Sequence, residues 1–394
     1  MKIDDIKKNP QKSLNYAERI INNGSPSGFT EKNNTSLETN PFYSAEFNLA
    51  RMINPDELIL FGNVPSFIDR NSLLIHPDWK KIVNNIEVVD TLIKVIPTAS
   101  ARTVRFSNYD YYVKLSYPGI LGRLDRELNE KQIQTVIEIS SILKEMIRNR
   151  TISPYFAFLP EESGVLFKKN DFKTGCIFRD CKPFGANVDK IEYILPAFSI
   201  FSKDRNNPND LPLLLQITKD KDKESYILNQ IIFPLMDIYF NCALNEGLSL
   251  ELHSQNVLFG FNNENDIVSI IIRDLESIDK DITIRKKLKK SDFINDFKTI
   301  SQSDYNYKIK HSFMYDFKLG EYLVEEILNC FNTYNLINKN EVIYKIKNYY
   351  SKKYLSLTND FFPNDGKWYK FDKVEIDRKT KERPYLKCDK PILR

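Results

Sequence analysis

Glu251, His253, Gln255 and Asn256 stand within six residues of one another, and Asp274 and Glu276 follow a short distance on. Between the two groups lie two short apolar runs, Val257 to Phe261 and Ile267 to Ile272, separated by the polar stretch Asn262 to Asp266. β-Branched and aromatic runs around an Asn/Asp-rich turn predict a β-hairpin. With the turn centred near Glu264, Asn256 would lie opposite Ile272 and Ser254 opposite Asp274, so the polar ends would be neighbours. An amide oxygen beside carboxylates suits a hard cation that takes its remaining ligands from phosphate and water, as Mg²⁺ does. Kinases set a catalytic-loop Asn and a later Asp in this relation.

A second group falls in Ile96 to Arg126. Ser100-Ala101-Arg102-Thr103 follows Pro97 in a turn-rich context and puts two hydroxyls around a guanidinium. Such a set can surround a phosphate, with the planar fork of Arg in the centre. Lys114 on the following strand and Arg126, twelve residues further on, would add two cations, with Arg123 competing for the last place. Together the two groups describe a site for a polyphosphate and a divalent ion.

The elements that must position these groups are readable in outline. The chain has 394 residues, 42% hydrophobic and 28% charged, enough for a substantial core in two or three subdomains. A net charge of +4 is too mild to make nucleic acid the main partner. No long uninterrupted apolar run suggests a membrane span, and MKIDDIKKNPQKSLNY lacks the apolar region of a secretory signal, so a cytoplasmic location is expected. The five cysteines are scattered without a C-x-x-C pair and read as core or surface thiols.

Helices are predicted over residues 1–23 with a break at Pro10, over Asn129 to Arg148, over Glu224 to Asn245 with a bend at Pro234, and over Phe313 to Phe331 and Glu341 to Tyr350. Ile133, Val136, Ile137, Leu143 and Ile147, with Ser140 among them, would form the buried stripe of the second. Strands are predicted at Leu58 to Gly62, Leu73 to His76, Tyr109 to Ser116, Gly164 to Phe167 and Gly175 to Phe178. Asn22 to Asn40 reads as loop, the basic run Arg285 to Lys290 as a solvated face, and the tail from Lys367 as irregular.

Glu-x-His-x-Gln-Asn, an apolar hairpin and Arg-Asp together resemble the nucleotide-binding core of the NRPS-independent siderophore (NIS) synthetases, the aerobactin-synthetase (IucA/IucC) family. That family carries a Ser-x-Arg-Thr loop, a strand with Lys-Leu and an Arg about a dozen residues on. Ser100, Arg102, Thr103, Lys114-Leu115 and Arg126 match these in order. Weaker matches are Phe42 to Phe47, Leu74-Ile75-His76-Pro77 and Gly175 to Asp180, so the likeness runs from about residue 25 to 280.

The resemblance implies an α+β fold of thumb, fingers and palm, the palm distantly kinase-like, here divided as residues 1–80, 81–200 and 201–394. It implies ATP and Mg²⁺ as cofactors and a ligase that activates a carboxylate, citrate or another di- or tricarboxylic acid, as an acyl-adenylate. An amine or hydroxyl then takes the acyl group, in siderophore or related small-molecule biosynthesis. ATP would be held by Ser100, Arg102, Thr103, Lys114, Arg126, His253, Gln255, Asn256 and Asp274, and the metal by Asn256, Asp274 and Glu276. His253, Glu251, Arg126 and Lys114 would be catalytic, and a homodimer would be in keeping with relatives.

The sequence departs from the family on the carboxylate side. Where relatives carry His-Pro-x-His-Pro-x-x-Lys before the Gly-Phe matched to Gly28-Phe29, this chain reads Ile21 to Ser27 with neither His nor Lys. Ile120-Leu121-Gly122 replaces an Ile-Thr pair. The nucleotide half is kept and the acyl half altered, which puts citrate itself in question. Two other readings fit the same residues: a kinase-like phosphotransferase, although Ser254 and Gln255 stand where its base would be, and a non-catalytic paralogue that binds nucleotide or a partner synthetase.

Overall fold

The computed structural model describes residues 1–22, 46–53, 58–81, 88–121, 124–169, 172–371 and 385–394. Gly28-Phe29, Phe42 to Ala45, Gly122 and Arg123, and most of the expected loop from Asn22 to Asn40, lie outside them.

Short strands rich in β-branched and aromatic residues build an eight-stranded sheet, in the order Leu58–Gly62, Ser163–Lys169, Phe172–Asp180, Tyr111–Leu115, Thr103–Phe106, Val88–Pro97, Phe47–Ile53 and Ser72–Ile75. Thr103 pairs with Lys114 and Lys114 with Ile177, so these residues and Arg179 share one face. Val104, Val113 and Phe178 point the other way and join the core formed with the outer strands. One sheet therefore has an apolar back and a front on which the polar residues of the Ser100 to Arg126 stretch emerge.

A second, five-stranded sheet runs Phe184–Gly185, Phe156–Phe158, Ile267–Ile272, Val257–Phe261 and Tyr193–Pro196. Its centre is the expected hairpin, but the register differs by one residue from the expected one. Val257, not Asn256, lies opposite Ile272, because a bulge between Gly260 and Phe261 changes the count part-way along. At the turn end Phe261 still faces Ile267, as a turn centred on Glu264 requires. A single extra residue in one strand has this effect. Gly260 is needed nearby, since a Cβ there would come within 2.8 Å of Ile191.

Helix Glu130–Arg148 crosses the front of the large sheet. Asn129 caps it: its side chain accepts from Gln132 N at 3.1 Å, and Gln132 Oε1 accepts from Asn129 N at 2.8 Å. Ile133, Val136 and Leu143 are buried as expected, but Ile139 takes the central place, and Ile137 and Ile147 are only partly covered. Ser140 on that stripe binds the main chain of Glu161 through both its donor and its acceptor, at 3.1 and 2.9 Å.

The long apolar helix runs over Lys223–Glu246, long and apolar enough to cross a membrane but mostly buried inside the fold. Around Pro234 the expected bend takes the form of a π-helical stretch, Ile227–Ile232, ahead of the regular turns. Proline lacks the N–H for the normal ladder, and a wider turn accommodates the loss. Gly247, at φ 67°, ends the helix, and a Cβ there would lie 2.6 Å from Asp281 O. The chain leaves directly into the Glu251 cluster.

At the N-terminus Pro10 opens a second helix, Pro10–Ile20, after Ile3–Lys8. Two expectations need correction. The tail is not irregular throughout: Trp368–Phe371 pairs with Tyr385–Cys388, held by the Phe371–Tyr385 ring stack at 5.2 Å. The basic run is not solvated throughout either. Arg285 is buried, donating to Glu246 Oε2 at 2.7 Å, and Lys290 pairs with the same carboxylate.

Replacing Asn129 by Ala should cost about 1 kcal/mol through loss of the cap. Equilibrium urea unfolding should give a lower midpoint at constant slope, and an unchanged midpoint would contradict the capping assignment.

Candidate functional site

Lys114, buried on the front of the large sheet, reaches across to the far end of the hairpin. Its Nζ forms an ion pair with Asp274 and lies 2.7 Å from Glu276 Oε2. Arg102 Nη2 lies 3.5 Å from the same Glu276 oxygen, and Arg179 Nη2 lies 3.5 Å from Asp274 Oδ1. Gln132, the capping residue of the crossing helix, donates to Glu276 Oε1 at 2.7 Å. Arg102 Nη1 also donates to the Arg126 carbonyl at 2.8 Å, which sets Arg126 beside it. Two parts of the sequence about 150 residues apart thus meet in one cluster of cations and carboxylates.

The charges in this cluster are fixed by their neighbours. Burial alone would raise the Asp274 carboxyl, but Lys114 and Arg179 hold it well below the usual carboxylate range. Glu276 is likewise held at about 2 by Lys114 and Arg102 against its burial. Both are ionised at neutral pH. Burial, with Arg102 close by, pulls the Arg126 guanidinium down. Burial opposes the charge of Arg179, yet Glu161 and Asp274 raise its pKa overall.

Asp274 has φ 71° and ψ 62°, a left-handed conformation uncommon for a side-chain-bearing residue. Its surroundings enforce it. Ser277 Oγ donates to Asp274 O at 2.7 Å, and the next amide, Leu275 N, donates to Glu161 Oε2 at 3.3 Å. Glu161 is fully buried and accepts from Arg179 Nε at 2.6 Å through its other oxygen. The strain lies at the residue that projects the carboxylate, where structures often concentrate it.

The second group packs beside the first. Asn256 Nδ2 lies 3.3 Å from Glu251 O, Glu251 Oε2 and Ser277 Oγ alike, and Asn256 O accepts from Arg273 N at 3.0 Å. Ser277 therefore links Asn256 to Asp274. Lys318 Nζ lies 2.6 Å from Glu251 Oε1, and His253 Nε2 lies 3.7 Å from Glu251 Oε2. Gln255 N donates to His253 Nδ1 at 3.1 Å, leaving the proton of the neutral ring on Nε2. Burial lowers His253 to about 4, with Glu251 resisting, so the ring is neutral at pH 7. Burial would raise Glu251, but Lys318 and His253 hold it at about 2.

The remaining expected residues shape the loop. Ser100 Oγ accepts from Arg102 N at 3.3 Å, and Thr103 is the buried strand residue opposite Lys114. Gln255 contributes its carbonyl, which accepts from Arg273 Nε at 2.9 Å. His76 Nε2 stands 3.2 Å from Ala101 O, and Trp79 Nε1 donates to Ser116 O at 2.9 Å, so the His-Pro element braces the same loop. His311 lies elsewhere in the core, 3.2 Å from Asp281 Oδ2.

Several contacts were not legible from the sequence. Arg179 ended a recognised strand, but its partnership with Glu161 and Asp274 joins three separate segments. Lys318 sits in a helical stretch without a motif, over the Phe313 ring at 5.2 Å. Among the described residues no group of three His, Cys, Asp or Glu side chains is placed to hold a metal, and the five cysteines are free. Asp274 and Glu276 nonetheless direct two ionised carboxylates at one cation, Lys114, an all-oxygen pair. That chemistry fits Mg²⁺, which takes few protein ligands and leaves the rest to phosphate and water.

No protein-family model matches the chain, and comparison with curated proteins finds no match. Solved structures do match. The petrobactin biosynthesis protein AsbB of Bacillus anthracis superposes with a TM-score of 0.69 at 16% identity, over 89% of this chain and 69% of AsbB. Aerobactin synthetase IucA of Klebsiella pneumoniae gives 0.68 at 12%, over 91% and 72%. The ATP-bound form of IucA gives 0.63 at 13%, over 80% of this chain and 64% of its own length. The chain thus spans about two thirds of these proteins, and over that span it has the α+β fold of the NIS siderophore synthetases.

Proposed function

We propose that this protein is an ATP-dependent synthetase that joins a small carboxylic acid to an amine or hydroxyl through an acyl-adenylate, in siderophore or related small-molecule biosynthesis. The observation that carries the reading is the convergence of Arg102, Lys114, Arg126 and Arg179 on the Asp274–Glu276 pair. A triphosphate could take the place of the carboxylates as partner of these cations. The ATP-bound IucA structure, which shares the fold, supports that assignment.

In the reaction proposed, a carboxylate oxygen attacks the α-phosphorus of ATP and the bond to pyrophosphate breaks. An anion approaching a polyanion needs fixed positive charge in place beforehand, and buried cations supply it without reorganisation. Arg102, Lys114 and Arg126 take that role, with Ser100 and Thr103 shaping the loop around the phosphates. Asn256, Asp274 and Glu276 would hold Mg²⁺, whose contribution when bound is to offset phosphate charge. Neutral His253 can donate from Nε2 to a phosphate or carboxylate oxygen, and Gln255 fixes its orientation. Glu251, held at about 2, is a weak base at neutral pH, so orienting His253 and Asn256 is the role we assign it.

The test is pyrophosphate release from ATP·Mg²⁺ with a panel of di- and tricarboxylic acids and hydroxylamine as a generic nucleophile. Release that depends on one acid, with AMP as the other product, is expected. ADP instead would favour the phosphotransferase reading. ATP-induced stabilisation without turnover would favour the binding paralogue. Asp274→Asn should lower acid-dependent release by roughly 100-fold or more while leaving the far-UV spectrum unchanged. Wild-type rates in that variant would remove Asp274 from the site.

His253 also predicts a pH dependence. Its folded value of about 4 lies below the ordinary 6.5, so as pH falls the unfolded chain takes up the proton first. The stability this group contributes above 6.5 is therefore lost progressively between about 6.5 and 4. Denaturant unfolding across that window should show a steeper loss for the wild type than for His253→Asn. Parallel profiles would contradict a buried neutral imidazole.

A further inference from the structure

The N-terminal helix Pro10–Ile20 touches both halves of the proposed nucleotide site at once. Glu18 is buried at 2% exposure and divides its two carboxylate oxygens between them. Oε1 accepts from Arg273 Nη1, the residue directly before Asp274. Oε2 accepts from Ala99 N at 3.2 Å, directly before Ser100 of the phosphate loop. The next residue, Arg19, donates through Nη1 to Thr98 O at 3.0 Å. Thr98 is itself the base of that loop, its hydroxyl donating to Thr103 O at 2.8 Å and accepting from Ser100 N at 3.1 Å.

Arg273 passes the connection onward. Its Nε donates to Gln255 O at 2.9 Å, and its main-chain N donates to Asn256 O at 3.0 Å. One carboxylate therefore fixes the distance between the loop bearing Ser100 and Arg102 and the hairpin end bearing Asn256 and Asp274. The helix lies where the two sheets meet. Leu14 packs with Tyr112 of the large sheet and with Leu258 and Ile271 of the hairpin.

We propose that Glu18 is a positioning residue that sets the spacing of the two halves of the nucleotide site. This inference rests on the nucleotide reading above. It goes beyond that reading by giving a role to a residue outside every motif. A neutral amide cannot keep both contacts at once. Gln can accept from Ala99 N or from Arg273, but its NH₂ end then faces the other donor. Asp keeps the charge and is one methylene too short to reach both.

The test is calorimetric titration of the full chain with ATP·Mg²⁺, comparing wild type, Glu18→Gln, Glu18→Asp and a control, Leu14→Val. The control loosens the same helix at its packing on Tyr112, Leu258 and Ile271 while leaving both hydrogen bonds of Glu18 in place. Glu18→Gln should weaken ATP binding about tenfold or more, and Leu14→Val by less than about twofold, at comparable losses of Tm. Glu18→Asp should fall between the wild type and Glu18→Gln. A merely structural helix would lower Tm in all three variants and leave the Kd alike, and that result would overturn the proposal. If Glu18→Gln does not fold, Glu18→Asp carries the same comparison, and a Kd within about twofold of wild type would reject the role. ATP binding by the wild type with unchanged variants sinks this inference alone. No ATP binding by the wild type sinks the nucleotide reading and this inference with it.

Discussion

An ammonium group buried in a sheet face must find its counter-charge nearby, and the architecture around Lys114 follows from that requirement. A buried cation without a partner would be strongly destabilising, because desolvation is not repaid. Here Asp274 and Glu276 supply the partner from another part of the chain. For them to arrive, the hairpin must end at the front of the large sheet, and the residue after Arg273 must turn left-handed. The crossing helix must also begin where Gln132 can hold the second carboxylate. Glu161, wholly buried between Arg179 and the Leu275 amide, closes the arrangement. An ion pair so surrounded is weak evidence for stability in itself. Its cations are kept in place and charged, which is what the proposed exchange of carboxylates for phosphate requires.

The same requirement separates the two halves of the site. Around Lys114 the charges are matched, with His76 bracing the Ser100 loop and Trp79 the end of the following strand. On the other side, Glu251, His253 and Lys318 form a smaller group in which one carboxylate is shared between an ammonium and a neutral imidazole. Lys318 comes from the helical stretch Phe313–Glu325, outside the part of the chain that carries the motifs.

Much of this could be read in the sequence, for physical reasons that differ from element to element. The hairpin was legible because two short β-branched and aromatic runs around an Asn-rich turn have few other solutions. The turn at Ser100 to Thr103 was legible because it follows Pro97 and ends where the next strand begins. The register missed by one residue because a bulge at Gly260 leaves no signature beyond a glycine in a strand. The pairing at the tail was hidden by charged residues that alternate with Trp368 and Phe371. Glu161, Gln132, Lys318 and Glu18 were invisible for a common reason. Each acts through a partner distant in sequence, and a lone Glu, Gln or Lys on a helix or loop is by default a surface residue.

The central claim is that the cations paired with Asp274 and Glu276 are the phosphate-binding groups. A crystal structure of the full chain with a non-hydrolysable ATP analogue and Mg²⁺ tests it most directly. Phosphate oxygens are expected within hydrogen-bond distance of Arg102, Lys114 and Arg126, with Asp274 turned from Lys114 toward the metal. A triphosphate bound elsewhere, with the Lys114–Asp274–Glu276 cluster intact and no phosphate near it, would contradict it.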